Sequence, residues 1–127
     1  MRNILLIIDL QKDFIYGSLT VPGATQVLPA INEVKDRFDL VYFTLDWHPV
    51  NHCSFRAQGG PWPVHCVHHT AGAALDESVL SDLPEEKTRF ILKGCVQGPE
   101  HRRSRRSWIV SSSFGTIPAP SVRRGVT

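Results

Sequence analysis

The strongest constraint on the fold is a pair of apolar runs that enclose an amphipathic stretch. The first run, NILLIIDL at residues 3–10, is short, Ile-rich and almost continuous, as strands buried in parallel sheets tend to be. The second run, LVYFTLD at residues 40–46, has the same character. Both runs are therefore predicted to be buried strands.

The stretch between the two runs is predicted to be a helix. Apolar side chains recur along it at spacings of four, three and four, which places them on one helix face: Val27, Ile31, Val34 and Phe38. Thr25 offers an N-cap, and Pro29 would lie in the first turn, where its missing N–H costs nothing. The order strand, helix, strand predicts parallel strands joined by a right-handed crossover, and hence an α/β fold.

A long irregular stretch separates this unit from the next predicted elements. Residues 48–73 are rich in Gly, Pro and His, and loops of that length in compact domains are usually functional or disordered. The aromatic and histidine side chains of the stretch favour the functional interpretation. Residues 75–83 (LDESVLSDL) are predicted to form a short helix, and residues 88–94 (TRFILKG) a third strand.

Charge and composition divide the chain near residue 95. Residues 1–94 contain 8 Lys and Arg against 11 Asp and Glu, whereas residues 95–127 contain 6 Arg and a single Glu. The C-terminal part is rich in Arg, Ser and Pro and shows no helical periodicity. We therefore predict an α/β domain over residues 1–94 and a basic tail over residues 95–127.

The same patterns argue against a membrane or nucleic-acid role. Only five apolar residues run together in the first strand, too few for a signal peptide or a membrane span. Arg-rich runs with few aromatic residues nearby are usually only solvated, so no nucleic-acid partner is predicted. Cys53, Cys66 and Cys95 show no CxxC spacing, so reduced thiols in a cytoplasmic protein are expected.

Charged side chains end all three predicted strands. Asp9 ends the first strand, Asp46 the second and Lys93 the third. Ligands of open α/β sheets bind at the carboxyl ends of the strands, where these groups would meet if the strands are parallel neighbours. Each charge alone could be a solvated loop residue, but three at equivalent positions favour a functional site.

Histidines surround the second of these carboxylates. His48 lies two residues after Asp46, so in an extended segment both side chains point the same way, and His52 and His65 follow in the loop. One carboxylate and three imidazoles suit Zn²⁺, Mn²⁺ or Fe²⁺ better than Ca²⁺. The spacing alone leaves a metal site and ordinary histidines equally open. The neighbouring histidines at 68 and 69 are predicted to be solvated.

Three aromatic residues accompany this cluster. Phe14 follows Asp9 closely, and Trp47 and Trp62 flank the histidines. Packing in the core is one role for such rings, and a stacking wall for a flat aromatic ligand is the other.

Four segments of the sequence, in this order, resemble those of bacterial nicotinamidases in the isochorismatase-like cysteine hydrolase superfamily. They are IIDLQKDF, TLDWHPVNHCSF, GGPWPVHCVHHTAGA and ILKG, and the resemblance covers residues 1 to about 94. It implies a three-layer α/β/α fold with a parallel sheet. It also implies hydrolysis of nicotinamide to nicotinate and ammonia in NAD salvage.

The resemblance assigns roles to individual residues. Asp9 resembles the catalytic acid/base and Lys93 its partner, and Phe14 and Trp62 resemble the aromatic walls around the pyridine ring. A divalent metal ion, Zn, Mn or Fe, is implied to hold the pyridine nitrogen. Its implied ligands are Asp46, His48, His52 and His65.

The chain departs from the family after Gly94. The resemblance implies a nucleophilic cysteine that follows a fourth strand, in a segment like GVATDYCV, and the sequence contains no such segment. Cys95 does not match that place, and Cys53 and Cys66 match family positions where cysteine is not the nucleophile. We therefore expect a domain truncated after the third strand, as a shift of reading frame near codon 95 would produce.

The predicted function is a nicotinamidase-like amide hydrolase whose activity is impaired by the missing cysteine. The alternatives are a non-catalytic metal-binding remnant and a related hydrolase of another small amide. Because half a sheet leaves an apolar edge uncovered, we also expect low solubility or self-association into homo-oligomers.

Overall fold

Backbone pairing between three apolar strands organises the fold. The strands are β1 (Ile4–Ile8), β2 (Leu40–Asp46) and β3 (Thr88–Lys93), and they lie in that order with both pairs parallel. This computed structural model describes residues 2–95, so the predicted tail lies outside the described residues from its second position onward. The predicted α/β fold with a parallel sheet is confirmed.

The strand register brings the ends of the strands together. Ile8 lies opposite Thr44, and Asp46 lies opposite Lys93. The backbone N–H of Asp9 donates to the Thr44 carbonyl at 3.0 Å, which extends the β1 ladder by one bond. The carboxyl ends of all three strands therefore form one edge of the sheet.

In the described part of the chain, three short helices accompany the sheet. They are α1 (Lys12–Ile15), α2 (Val27–Val34) and α3 (Glu77–Leu80), of which α1 is not indicated by the sequence pattern. Single 3₁₀ turns occur at Ala24–Gln26, Lys35–Arg37, Arg56–Gln58, Ala71–Ala73 and Glu85–Lys87. None of the helices in residues 2–95 has the length and apolar character that a membrane span requires.

The predicted face of the second helix is partly wrong. Val27 is exposed, whereas Leu28 and Ile31 pack against the core. A 3₁₀ turn at Ala24–Gln26 precedes the α-helix, which begins at Val27. Thr25 lies inside that turn and is not the N-cap.

One face of the sheet carries the core. Side chains of β1 and β2 pack there against residues of α1, α3 and the loop that precedes α3, including Ile7, Phe43, Leu45, Ile15, Leu75 and Val79. The opposite face leaves Ile4, Leu6 and Ile8 more than half exposed. The described residues therefore build two of the three layers that the resemblance implies.

A buried lysine joins α2 to α3. The Lys35 side chain is 1% exposed, and its ammonium donates to the carbonyls of Ser78 at 3.2 Å and Val79 at 2.9 Å. The ammonium also pairs with the exposed carboxylate of Asp82 at 2.5 Å. The cation thus satisfies carbonyls near the end of a short helix, where the helix itself supplies no donors.

Replacing this cation tests the importance of the helix contact. Lys35→Met keeps the aliphatic volume but removes the donors, and we expect it to lower the free energy of unfolding by about 1–3 kcal/mol. Asp82→Asn is the matched control, because it weakens only the exposed ion pair, and its effect should be much smaller. Urea unfolding followed by circular dichroism measures both, and equal losses would contradict this account.

Candidate active site and metal centre

The ammonium of Lys93 connects the two strand-end carboxylates. Its Nζ donates to Asp9 Oδ2 at 2.8 Å and to Asp46 Oδ1 at 2.5 Å. The predicted meeting of these three groups at one sheet edge is confirmed. Each of the three side chains is between 17% and 27% exposed, so the group is shielded but remains accessible from solvent.

The ion pairs hold Asp46 and Lys93 in their charged forms. Burial favours a higher pKa for Asp46, but the neighbouring His48, His65 and Lys93 side chains outweigh it and lower the pKa well below its usual range. Burial favours a lower pKa for Lys93, but its bonds with Asp46 and Asp9 raise the pKa above the ordinary value. A carboxylate and an ammonium therefore persist side by side at neutral pH.

The position of Asp9 depends on a residue that the sequence pattern does not indicate. Asp9 has a φ of 55°, a left-handed conformation that Asp tolerates better than most residues. The hydroxyl of Thr44 donates to Asp9 Oδ1 at 2.9 Å, while Lys93 occupies Oδ2. Both oxygens of the Asp9 carboxylate are thus oriented by the neighbouring strands.

Two imidazoles face the other oxygen of Asp46. Oδ2 lies 3.4 Å from His48 Nε2 and 3.8 Å from His65 Nε2. The Nδ1 atom of His48 lies 2.9 Å from the Gly94 carbonyl, and that of His65 lies 2.7 Å from the Pro63 carbonyl. Because a carbonyl only accepts, each Nδ1 carries a proton, and each neutral ring presents its lone pair on Nε2.

This donor set fits a divalent metal ion. Asp46, His48 and His65 each offer one ligand atom, and these three atoms lie within 4.8 Å of one another. Zn²⁺ binds N and O ligands at about 2.0–2.2 Å, so two ligands of one ion lie about 3–3.6 Å apart. A carboxylate oxygen and two nitrogen lone pairs this close together are stabilised by a cation between them. The carbonyls bound to each Nδ1 are the outer partners that orient metal-binding histidines.

The negative charge of Asp46 also affects the pKa of His65. Burial by itself favours a lower pKa for this imidazole, but the hydrogen bond with Asp46 and the bond to the Pro63 carbonyl raise the pKa above its ordinary value. The carboxylate therefore draws a proton to His65 where no metal ion competes for the nitrogen. Protons and a metal ion compete for the same Nε2 lone pair.

His52 does not belong to this convergent group. It is fully buried, and its ring stacks on that of His48 with centroids 4.1 Å apart. Its Nδ1 accepts the Ser54 backbone N–H at 3.2 Å, which places the proton of a neutral ring on Nε2, the opposite tautomer to His48 and His65. The role of His52 as a fourth ligand stays a prediction.

The predicted aromatic walls lie at different places. The Phe14 ring centroid is 5.6 Å from that of His65, and Phe14 and Asp9 both line a cavity of about 230 Å³. Trp62 is half exposed, on a segment whose backbone bonds to that of Ser54. Trp47 is buried, with its ring edge-on to those of the exposed residues His68 and His69, so packing is its role here.

The cysteines near the site are poor nucleophiles. All three are free thiols. Burial, followed by the charges of Asp46, Asp13 and Asp9, raises the pKa of Cys66 far above its usual range, and burial and Asp46 also raise the pKa of Cys95. Because the thiolate is the reactive form, neither sulfur is prepared for attack.

Comparison with known proteins agrees with this geometry. Residues 3–93 match the Isochorismatase domain. The chain belongs to the isochorismatase family. The nicotinamidase of Acinetobacter baylyi is 38% identical to this family member over 97 residues, which are 63% of this chain and 44% of that protein.

Two solved structures are similar to this family member in both fold and sequence. The pyrazinamidase of Pyrococcus horikoshii in complex with zinc is 40% identical, with a TM-score of 0.66 over 77% of this chain and 55% of the other. PnC1 of L. infantum in complex with nicotinate is 42% identical, with a TM-score of 0.68 over 76% of this chain and 50% of the other. The chain thus spans about half the length of these relatives.

The glycine after β3 leaves room for the His48 ring. Gly94 has a φ of 69°, and a Cβ at this position would lie 2.6 Å from His48 Nδ1. Gly59 has a φ of 84°, but a Cβ there would meet nothing within 4 Å. Substitution at both positions therefore carries a backbone cost, and only Gly94 adds a collision with the imidazole.

We expect Gly94→Ala to destabilise the protein more than Gly59→Ala. The additional loss in free energy of unfolding should be about 1–3 kcal/mol, the usual cost of forcing extra volume into a packed site. Chemical denaturation of the two variants measures this difference. Equal losses would show that His48 can move aside without cost.

Proposed function

We propose that this chain forms the acid/base and metal-binding part of a site that hydrolyses nicotinamide to nicotinate and ammonia. One observation carries the proposal: Lys93 bridges Asp9 and Asp46 while the free side of Asp46 faces the Nε2 atoms of His48 and His65. The similarity to nicotinamidases supports the choice of substrate. The reaction would return nicotinamide to NAD salvage.

Asp46, His48 and His65 are the proposed metal ligands. Their donor types suit Zn²⁺, Mn²⁺ or Fe²⁺, and the zinc in the P. horikoshii pyrazinamidase favours zinc. When bound, the ion would hold the nitrogen of the pyridine ring and so orient the substrate. His52 would support the ligands from behind the His48 ring, or complete the set after a change of tautomer.

Asp9 is the proposed proton carrier. Its carboxylate would take a proton from the attacking nucleophile and return it to the nitrogen of the departing ammonia. Lys93 keeps positive charge 2.8 Å from this carboxylate and favours the anionic form of a nucleophile beside it. Thr44 and Lys93 each hold one oxygen, so the carboxylate is oriented before substrate arrives.

The cavity beside Asp9 is the proposed place for the aromatic ring. At about 230 Å³ it is smaller than the roughly 300–1,000 Å³ of pockets for drug-sized ligands, which suits a single ring. Phe14 lines this cavity and also contacts His65, so it links the ring site to the metal site. Trp62 is proposed as a second wall from the loop side.

The state of the thiols favours a second candidate function. Hydrolysis through a thioester needs a cysteine thiolate, and neither Cys66 nor Cys95 has the lowered pKa that this role requires. Without a nucleophile from elsewhere, the chain would bind a metal ion and a pyridine ligand without turnover. Impaired catalysis with retained metal binding is therefore the proposed behaviour of these 127 residues.

An ammonia-release assay with nicotinamide separates the two candidates. If the chain turns over, Asp9→Asn should lower the rate by about 10²–10⁴-fold, because the proton carrier is lost. If it does not, one equivalent of Zn²⁺ should still bind and should be lost in Asp46→Asn. Asp82→Asn is the surface control for both the ammonia-release assay and the Zn²⁺-binding measurement. A chain that neither releases ammonia nor binds Zn²⁺ would overturn the proposal.

A further inference from the structure

The Gln11 side chain forms two hydrogen bonds with the backbone of the proposed metal ligand Asp46. This side chain is fully buried, although no substrate or metal role is assigned to it. Its Oε1 accepts the Asp46 N–H at 2.8 Å, and its Nε2 donates to the Asp46 carbonyl at 2.7 Å. The same Nε2 donates to the Ala73 carbonyl at 2.9 Å. One carboxamide thus satisfies both backbone groups of Asp46.

The geometry of β1 explains why a side chain takes this place. The β1 ladder ends where the Asp9 N–H reaches the Thr44 carbonyl, because the left-handed conformation of Asp9 turns the chain away from β2. β2 continues to Asp46, which has β3 on one side and no backbone of β1 on the other. The Gln11 carboxamide offers the donor and acceptor that a strand backbone would supply there.

Asp13, two residues later, holds the backbone next to the other side of the site. Its Oδ2 accepts the N–H of Cys66 at 2.8 Å. Cys66 directly follows His65 and has a φ of 49°, a strained conformation for a side chain of this type. The Cys66 carbonyl in turn accepts the His48 N–H at 3.0 Å. The Asp13 carboxylate therefore stabilises the backbone at Cys66, which follows one proposed ligand, His65, and is hydrogen-bonded to the backbone of another, His48.

The surroundings of Asp13 are shaped to keep its carboxylate in place. A Cβ on Gly72 would lie 2.5 Å from Asp13 Cγ, so only glycine lets the loop before α3 approach this closely. The Gln11 bond to Ala73 anchors the same loop. Gln11 and Asp13 thus both contact the loop before α3. Gln11 acts on the metal site through Asp46 in β2, and Asp13 acts on it through the backbone at Cys66.

We infer that Gln11 and Asp13 are positioning residues for the divalent-metal site. Gln11 fixes the backbone of Asp46 and so orients its side chain, and Asp13 fixes the peptide between His65 and Cys66. The inference rests on the proposed function, because it concerns the affinity of the metal ligands proposed there. Loss of an outer support of this kind typically costs about 10–100-fold in metal affinity.

A Co²⁺ titration of the full chain tests the role of Gln11. Visible absorption bands of bound Co²⁺ report both affinity and ligand geometry, whether or not the chain turns over substrate. Gln11→Met keeps the length of the side chain, and we expect it to weaken Co²⁺ binding by about 10–100-fold and to alter the bands. Lys35→Met is the matched control, since it removes a buried polar clamp elsewhere and should destabilise the fold without changing Co²⁺ affinity.

A pair of substitutions at Asp13 gives a second, independent test. Asp13→Asn keeps an oxygen that can accept the Cys66 N–H and should largely preserve Co²⁺ affinity, whereas Asp13→Leu removes the acceptor and should weaken binding about 10–100-fold. This pair decides the question if Gln11→Met fails to fold.

The outcomes distinguish this inference from the proposed function. If the unaltered chain binds no Co²⁺, or binds it equally well in Asp46→Asn, the proposed metal site itself fails. If binding depends on Asp46 but Gln11→Met behaves like Lys35→Met, and Asp13→Leu like Asp13→Asn, the positioning role is overturned while the metal site stands.

Discussion

The Lys93 ammonium between Asp9 and Asp46 is the interaction on which the site depends. Two carboxylates at adjacent strand ends would repel each other, and the ammonium that lies between them offsets this repulsion. This arrangement requires parallel pairing of all three strands, because only then do the three carboxyl ends meet. The ion pairs thus link the topology of the sheet to the chemistry of its edge.

The loop after β2 contains single 3₁₀ turns but no strand or α-helix, and it adds the imidazoles. Hydrogen bonds from ring nitrogens to carbonyls fix the His48 and His65 tautomers, and a backbone bond from His48 to Cys66 joins the two ends of the loop. Gln11, which directly precedes α1, and Asp13, within α1, hold the same region. Rigid strands therefore supply the charged groups, while side chain to backbone bonds give a long loop the order that a metal site needs.

Several features were predictable because they depend on local pattern. The three strands follow from apolar runs of the right length, and the meeting of Asp9, Asp46 and Lys93 follows from parallel order. The face of α2 was predicted only in part, since Ile31 packs against the core as expected but Leu28, and not Val27, accompanies it. Spacing placed His52 with the other ligands but could not reveal its contact with Ser54.

The sequence by itself determined the three strands, the charged groups at their ends and the family to which the chain belongs. These properties reside in short runs and in motifs that can be read one segment at a time. Only the tertiary structure decided which imidazole nitrogens converge and which residues support them. His48 is oriented by the carbonyl of Gly94, and the backbone of Asp46 is hydrogen-bonded to the Gln11 side chain. Such contacts join positions far apart in the chain, and no local pattern encodes the distance or the direction of a hydrogen bond between them.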